Sequence, residues 1–415
     1  MGICGTSDLD KMHSNLKNSK LKKNEILINV IYNNNPYNDV ILDKNKKIMD
    51  ILDKINVDKE YDYDFFDSNN ILINDKQNQS YEELFPGLNN ITIYIQKYSL
   101  NIPTDIRYYI YNSNVLIGNI SFNNSSYLIV FIYNIKLKQL FSYNYKFEKY
   151  PELTFINNFS TFCNANNSLY ISGGESDNEG TNRFIKIELN KLEENKLIYK
   201  NLISLNYKRY WHSMIFIPEK YIFIVGGPNE EVEMYDIEKN EIYIDGKLNY
   251  KRFEPSLIFV NNKFLYCICG FQMNNNFLDT IERCNLLKRQ RKWEIVNYQL
   301  ANNENSNKIL ISFFGISYIN NNIILIGDKE NENVINPNYL LKCGEKDFDT
   351  IEDYGFINSK NTRTFTEKFF IPINKDESLA LPFKLGEPKI LILNNNTGEI
   401  KEIILKENNE KDELL

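Results

Sequence analysis

The chain has 415 residues, 42% hydrophobic and 13% aromatic, enough to build the cores of two or three domains or of one large repeat array. Its formal net charge of −7 argues against general nucleic-acid binding, which requires a clustered basic face. No apolar run approaches the length of a membrane span, and the six scattered cysteines suit a reduced, cytosolic protein.

The first seven residues fit the pattern for N-myristoylation. Removal of Met1 exposes Gly2, Thr6 stands four positions later, and the neighbouring Cys4 is a candidate for palmitoylation. One myristoyl chain holds a protein on a bilayer only weakly, so a second signal is needed. That signal is expected from the Cys4 thiol or from the following lysines, Lys17, Lys20, Lys22 and Lys23. We therefore expect residues 1–23 to be a flexible, acylated leader; the alternative is a free N-terminus with an accidental Gly2.

The pattern over residues 24–98 predicts a small α+β domain. Apolar runs predict a leading hairpin and three later strands, at 25–32, 39–42, 63–66, 71–73 and 91–95. A stripe at helical spacing predicts an amphipathic helix after the hairpin, with Ile48, Ile51, Leu52 and Ile55 on its buried face. A single turn at 81–85 precedes the last strand.

This order of hairpin, helix, strands, short turn and last strand resembles the ubiquitin-like β-grasp domain over nearly all of that domain's length. The chain departs from ubiquitin because it continues through Tyr98-Ser99-Leu100 with no terminal Gly-Gly, so the resemblance implies no conjugation role. Two roles are left open, a docking face on the sheet or a plain folding unit. Residues 99–104, which include Pro103, form a short linker to the rest of the chain.

Beyond the linker an internal repeat becomes visible. The pentapeptide Leu205-Asn206-Tyr207-Lys208-Arg209 recurs letter for letter as Leu248-Asn249-Tyr250-Lys251-Arg252. Each copy is followed by an aromatic residue, a Ser and an apolar run that ends in glycine. A period of about 43 residues is typical of four-stranded units. One such unit cannot bury both faces of its sheet, so several must stack.

Four residue pairs, each flanking a polar turn, predict hairpins between the last two strands of a unit. The pairs are Tyr133 with Leu140, Tyr235 with Ile242, Leu393 with Ile400, and Cys284 with Trp293. The last pair encloses a longer basic turn, Lys288 to Lys292, for which a solvated hairpin tip is expected; the alternative is a nuclear signal or a phosphate-binding patch.

An apolar strand that ends in Gly-Gly, then a Tyr strand and a Trp strand, resembles the kelch repeat. The positions that carry the resemblance are Gly173-Gly174, Gly226-Gly227, the single glycines Gly270 and Gly327, the Tyr position Tyr235 and the Trp position Trp293. Ile242 replaces the Trp in the neighbouring repeat. The resemblance implies a β-propeller, in which glycines near the narrow axis let backbones approach closely.

The expected fold class is therefore mainly β, a kelch-type propeller of about six blades over 105–408, preceded by the α+β ubiquitin-like domain. A charged tail, 409–415, follows. The expected blades are 105–155, 156–208, 209–251, 252–305, 306–358 and 360–408. Five or seven blades are alternatives.

The sequence offers little for catalysis, since its two histidines are His13 and His212. A zinc or copper site needs several His or Cys ligands, so we expect no metal and no cofactor. Kelch repeats often carry a His-Ser pair where Trp211-His212-Ser213 stands, which implies a structural role for His212. No nucleophile elbow, phosphate loop or dinucleotide fingerprint occurs. We expect a protein that is not an enzyme.

The expected function is a protein-interaction scaffold, anchored at the cytoplasmic face of a membrane through the acylated N-terminus. Candidate partner contacts follow the repeated strand ends, where Arg and aromatic residues make good anchors: Arg209, Trp211, Arg252, Phe253 and Glu254. The alternative is that the arginines bridge neighbouring blades. Two other functions stay open, a ubiquitin-pathway substrate adaptor that docks through the β-grasp domain, and a propeller-borne hydrolase or cyclase.

Overall fold

The structure is a computed structural model. It describes residues 21–98 except 23, 38, 56, 58–60 and 77; 116–157 except 124–126 and 135–138; 160–297 except 177–178, 195–196, 218–219 and 274–277; and strand segments between 312 and 404. The predicted leader up to residue 20, the linker and the tail lie outside the described residues. The chain divides into two compact units, the first containing the described part of 21–98 with Leu287–Arg289, the second the remainder.

The first unit is built on one five-stranded sheet. Its strands are β1 (Glu25–Tyr32), β2 (Asn35–Pro36), β3 (Val40–Asp43), β4 (Tyr63–Phe66) and β5 (Asn90–Lys97). Strand β1 runs parallel to β5, and the other pairs are antiparallel. The order is β2-β1-β5-β4, with β3 pairing with the same edge of β1 as β2.

One face of this sheet carries the core of the first unit. Ile26, Ile28 and Val30 alternate along β1, and Ile91, Ile93 and Ile95 do so along β5, as the period of two in a half-buried strand requires. Each fully buried side chain of this size contributes roughly 1.5–3 kcal/mol. The short helix α1 (Tyr81–Leu84) is capped by Ser80 and closes the core with the buried Tyr81.

The predicted amphipathic helix over 48–55 is wrong in type and length. The structure has a 3₁₀ helix at Ile48–Ile51, and other 3₁₀ turns at Asn74–Lys76, Phe147–Lys149, Pro151–Asn157 and Leu189–Glu194. Ile48, Ile51 and Ile55 are buried as expected. The spacing of Ile48 and Ile51 also fits the three residues per turn of a 3₁₀ helix. The strand predicted at 71–73 is reduced to a single bridge between Phe66 and Leu72.

The second unit contains successive antiparallel sheets, named here I to VI. Sheet I comprises β6 (Leu116–Asn123), β7 (Tyr127–Asn134) and β8 (Gln139–Lys146). The next strands are β9 (Thr161–Ala165), β10 (Ser168–Ser172), β11 (Glu175–Ser176), β12 (Glu179–Gly180), β13 (Phe184–Glu188) and β14 (Tyr199–Asn201). Sheet II has the order β14-β13-β10-β9, and β11 with β12 forms a separate ribbon.

Sheets III to VI each consist of four strands paired in chain order. Sheet III comprises β15 (His212–Ile217), β16 (Tyr221–Gly226), β17 (Glu231–Asp236) and β18 (Glu241–Lys247). Sheet IV comprises β19 (Ser256–Val260), β20 (Phe264–Ile268), β21 (Ile281–Asn285) and β22 (Trp293–Val296). Sheet V comprises β23 (Ser312–Ile319), β24 (Asn322–Asp328), β25 (Asn338–Cys343) and β26 (Phe348–Asp353). Sheet VI comprises β27 (Ile371–Pro372), β28 (Glu377–Ala380), β29 (Lys389–Asn394) and β30 (Ile400–Ile404).

The prediction of a mainly β fold with repeated four-stranded antiparallel units is confirmed. All four predicted hairpin pairs lie directly opposite each other: Tyr133 and Leu140, Tyr235 and Ile242, Leu393 and Ile400, and Cys284 and Trp293. One sheet falls within each of the six segments expected to be blades. The register was predictable because a slip of one residue would turn every buried side chain outward.

Sheets I to V of the second unit pack against each other in chain order. Sheets I and II share a core, in which Leu128 and Val130 meet Ile171 and Ile185. Between sheets II and III, the Phe184 and Tyr235 rings lie 4.8 Å apart at 81°. The first strands of sheets II, III, IV and V, namely β9, β15, β19 and β23, contact one another in that order. The sheets are therefore stacked side by side, with their first strands adjacent.

Candidate interaction surfaces

The diglycine pairs lie where two stacked sheets approach most closely. Gly226 and Gly227 have φ values of 84° and 82°, in the region that favours glycine. A Cβ atom on Gly226 would stand 2.7 Å from the Arg252 carbonyl oxygen, and one on Gly227 2.8 Å from that of Tyr210. Both positions therefore need glycine for backbone conformation and for space. Gly327 lies in β24, whose side-chain surroundings are outside the described structure.

Backbone hydrogen bonds join each diglycine to the next copy of the repeat. The Gly174 N–H donates to the Arg209 carbonyl over 2.8 Å, and the Gly227 N–H donates to the Arg252 carbonyl over 2.9 Å. The end of the second strand in one sheet is thus bonded to the residue that introduces the following sheet.

The Arg209 side chain is fully buried and bonded within sheet III. Its Nε donates to Glu233 Oε2 over 2.7 Å, and the two Nη groups donate to the carbonyls of Gly226 and Glu231 over 2.6 Å each. The Glu233 carboxylate also accepts the Asn206 N–H over 2.6 Å. We call this ion pair the sheet III lock. A charge without solvent is tolerated here because both partners are satisfied.

Arg252 forms the equivalent sheet IV lock with Glu282. One Nη group donates to Glu282 Oε1, and the other donates to the carbonyls of Cys269 and Thr280 over 2.9 Å each. Glu282 Oε2 accepts the Asn249 N–H over 2.7 Å. Each copy of the pentapeptide therefore donates the same two groups to its own glutamate, the backbone N–H of Asn and the side chain of Arg.

These locks correct the prediction that Arg209 and Arg252 contact partner proteins. Both arginines are 0% exposed, and Phe253 is 2% exposed, so none of the three presents a surface for a partner. The alternative holds for the arginines, since each binds its own sheet through the side chain and the preceding sheet through its carbonyl. Trp211 and Glu254 are half-buried and stay as candidates.

Glu233 and Glu282, the acceptors of the two locks, are not among the residues predicted from the sequence. Each stands inside a buried strand, in Val232-Glu233-Met234 and Ile281-Glu282-Arg283. A glutamate that follows an apolar residue in a core strand is costly unless it is paired. Such a glutamate occurs in both copies of the repeat. This recurrence in the sequence could have predicted an ion pair with the repeated arginine.

His212 lies between sheets II and III and is buried. Its Nε2 is 2.7 Å from Ser172 Oγ, and Ser172 also lies 2.8 Å from Met214 Sδ. The neighbouring Ser213 hydroxyl donates to the carbonyl of Pro255, which introduces sheet IV. The described structure thus supports a structural role for His212.

The described residues hold no group of three or more His, Cys, Asp or Glu side chains placed to bind a metal ion. Four cysteines among them are free and buried: Cys163, Cys267, Cys269 and Cys284. Burial raises the pKa of the Cys269 thiol to about 12 and raises the pKa of Cys163 and Cys284 as well. These thiols are poor nucleophiles at neutral pH.

The basic turn Lys288 to Lys292 is not simply a solvated tip. Arg289 and Lys292 are exposed, but Arg291 is buried and forms an ion pair with Asp245 of β18. Gly246 lies against this contact, because a Cβ there would stand 2.8 Å from the Arg291 carbonyl oxygen. The turn therefore joins sheet IV to sheet III.

Four aromatic rings meet where sheets III and IV begin, and we call them the aromatic cluster: Tyr210, Trp211, Phe253 and Phe271. Tyr210 and Phe271 each stack on the buried Phe253, with centroid distances of 5.7 and 5.6 Å. Trp211 stands across this stack, 5.9 Å from Phe253 at 88° and 5.5 Å from Phe271 at 64°. Tyr210, Trp211 and Phe271 are half-buried.

The first unit has an apolar row on the side of its sheet opposite the core. Ile31, Tyr94 and Phe66 are aligned across three strands, and Leu72 is bridged to Phe66. None of the four belongs to the core cluster, and Leu72 is 48% exposed. We call them the open-face row. Polar residues border it, because Thr92 and Gln96 flank Tyr94 on the same face.

No protein-family model matches the chain, and no curated protein matches it. The kelch and ubiquitin-like resemblances therefore rest on the residues quoted above. The lipidation candidates Gly2 and Cys4 lie outside the described residues, as do Lys17, Lys20 and Lys23. No helix in the described part of the chain has the length and apolar character needed to cross a bilayer.

Proposed function

We propose that the protein is a non-enzymatic interaction scaffold, whose second unit is a six-bladed kelch-type propeller. Three features support this architecture: the repeated sheets, the adjacent first strands, and diglycines that need close backbone approach. Partner binding then belongs to loops at the ends of the blades, as is usual where a rigid scaffold presents connecting segments.

The first unit is proposed to be a ubiquitin-like β-grasp domain. Its parallel pairing of β1 with β5, flanked by antiparallel strands, supports this assignment. The 3₁₀ turn at Ile48–Ile51 departs from the helix that the resemblance implies. The proposed domain boundaries are those expected from the sequence, with the first unit at 24–98 and the propeller at 105–408.

The aromatic cluster is the observation that carries the scaffold proposal. Three of its four rings are half-buried and so leave apolar surface accessible, and Met273, two residues beyond Phe271 in the chain, is exposed. Aromatic residues and Met are the types enriched at the centres of protein interfaces.

Affinity capture from cells tests this role, comparing the parent protein with Trp211→Ala. We expect the variant to lose specific partners, because a half-buried Trp at an interface centre contributes about 2 kcal/mol or more to binding. Lys208→Ala, in the same loop, is the matched control and should retain them. An unchanged set of partners for Trp211→Ala, with the fold intact by circular dichroism, would contradict the proposal.

Attachment to the inner, cytoplasmic face of a membrane is proposed to depend on Gly2 and Cys4, aided by the lysines of the leader. Gly2→Ala removes the myristoylation site and should release the protein from membrane fractions, whereas Cys4→Ser should release it only in part. Mass measurement of the native N-terminal peptide decides between an acylated and a free terminus. No nucleic-acid role, metal or cofactor is proposed.

The open-face row favours a second function, the ubiquitin-pathway adaptor. An apolar row with polar edges on an open sheet suits the docking of a ligase or proteasome subunit. Tyr94→Ala should abolish recovery of such subunits, whereas Thr92→Ala on the same strand and face should not. Recovery of none by the parent protein would reject the adaptor. No arrangement of the described residues favours a hydrolase or cyclase.

A further inference from the structure

The aromatic cluster has an acidic neighbour that gives it a definite binding chemistry. We propose that Trp211, Phe271 and Glu254 form a site for a positively charged side chain, lysine or arginine, of a partner protein. This inference rests on the proposed scaffold function and specifies the partner group that the cluster binds.

Two rings of the cluster form a corner. Trp211 and Phe271 lie 5.5 Å apart with an angle of 64° between their planes. Phe271 also stacks on the buried Phe253, at 5.6 Å and 28°. A cation is attracted to the negative face of an aromatic ring when it lies within about 6 Å of the centroid. In the proposed site, the cation lies within this distance of the Trp211 and Phe271 rings.

An acidic residue, Glu254, is bonded to Trp211 through the backbone. Glu254 holds the position in its repeat that Trp211 holds in the preceding one, and both have positive φ, 48° and 49°. The Glu254 N–H donates to the Trp211 carbonyl over 2.6 Å, which places the two residues side by side. Among the described residues, no hydrogen bond or ion pair engages the Glu254 side chain.

The two arginines of these loops do not compete for Glu254. Arg209 and Arg252 introduce the same loops, but each is buried and already paired with its lock glutamate. The site therefore combines ring faces with an available negative charge, which disfavours anionic groups and favours cations over neutral ones. Met273, 77% exposed and two residues beyond Phe271, offers apolar contact to the aliphatic stem of a lysine or arginine.

The chain contains two tryptophans, so ¹⁵N-tryptophan labelling of the full-length protein gives two indole N–H signals. Trp211→Phe assigns them. The labelled protein is titrated with Nα-acetyl-lysine amide and with the neutral Nα-acetyl-norleucine amide, at millimolar concentrations. We expect a saturating shift of the Trp211 signal with the lysine amide, none for the buried Trp293, and binding of the norleucine amide weaker by roughly fivefold or more.

Glu254→Gln should weaken binding of the lysine amide by a similar factor, whereas Glu241→Gln, on the exposed strand β18, should leave it unchanged. Equal shifts with both amides, or binding indifferent to Glu254→Gln, would overturn the cation site. If the amide fails while Trp211→Ala still loses partners in cells, the scaffold function stands and only its cationic partner group is rejected. If the amide binds while Trp211→Ala keeps every partner, the cation site stands and the scaffold role of this surface is rejected.

Discussion

Sheet II differs from sheets III and IV in the residue that fills one buried position of the third strand in chain order. Ile185, Glu233 and Glu282 occupy the same register position, opposite the residue two places before the diglycine or its replacement. Sheet II places an isoleucine there and buries it in the core shared with sheet I. Sheets III and IV place a glutamate there and satisfy it with the arginine of the pentapeptide.

The difference shows that an ion pair is not a requirement of this sheet geometry. In sheet II the apolar Ile185 fills the same position, and the turn that precedes this sheet has no arginine. The arginine also donates hydrogen bonds that isoleucine cannot supply, because its Nη groups satisfy the carbonyls of Gly226 and Glu231, where β16 ends and β17 begins. The locks thus fasten the turn that introduces a sheet to that sheet's own strands.

Removal of one lock partner should have the largest effect. Glu233→Ala leaves the buried Arg209 guanidinium without its counter-charge, which typically costs about 3–5 kcal/mol. The free energy of unfolding from urea titration measures this loss. Glu179→Ala, which breaks the exposed pair with Lys208, is the control and should leave the urea midpoint unchanged. Equal midpoints for both variants would show that the sheet III lock is not stabilising.

Glycine substitution tests the close approach between sheets. Gly226→Ala must adopt positive φ and also meets the Arg252 carbonyl, so we expect a loss of roughly 2–5 kcal/mol in unfolding free energy. Gly87 has φ of 74° with no atom within 4 Å of a Cβ, so Gly87→Ala isolates the conformational cost, about 1–2 kcal/mol. A loss at Gly226 no larger than that at Gly87 would contradict the steric argument.

Replacing the ion pair of sheet III by apolar residues, as in sheet II, should have a smaller effect on stability. The double variant Arg209→Met with Glu233→Leu removes both charges together, so it should be more stable than Glu233→Ala by about 1–3 kcal/mol. It should still fall below the parent, because the carbonyls of Gly226 and Glu231 lose their donors. Additive losses in a double-mutant cycle would mean that the two side chains do not act as a pair.

The sequence was a good guide wherever the constraint is local. The four hairpin registers follow from turn residues and period-two burial, and the diglycines follow from a backbone that only glycine adopts. The helix predicted at 48–55 is wrong because the three-residue spacing of Ile48 and Ile51 fits one turn of a 3₁₀ helix as well as an α-helix.

The candidate site was harder, because its chemistry depends on contacts between distant positions. The repeated arginines are visible in the sequence, but their glutamates lie 24 and 30 residues further on. The two separations differ because the connection from β20 to β21 is longer than that from β16 to β17. Arg beside an aromatic residue fits an interface anchor and a buried lock equally well until its burial is known. Trp211 and Glu254, by contrast, were nominated from the same pattern and are half-buried.

Sheets III and IV also differ in the hydrogen bonding of two equivalent serines, Ser213 and Ser256. The Ser213 hydroxyl donates to the buried Pro255 carbonyl, whereas the equivalent Ser256 hydroxyl is buried with no hydrogen-bond partner among the described residues. Ser213→Ala should therefore cost about 1 kcal/mol, since it leaves the carbonyl unpaired. Ser256→Ala should be neutral or slightly stabilising, since it removes an unpaired polar group from the core. Paired urea titrations measure both, and a larger loss for Ser256→Ala would indicate that its hydroxyl bonds a group that contributes to stability. The same substitution, made at equivalent positions of two successive repeats, thus separates the contribution of a hydrogen bond between sheets from that of the serine itself.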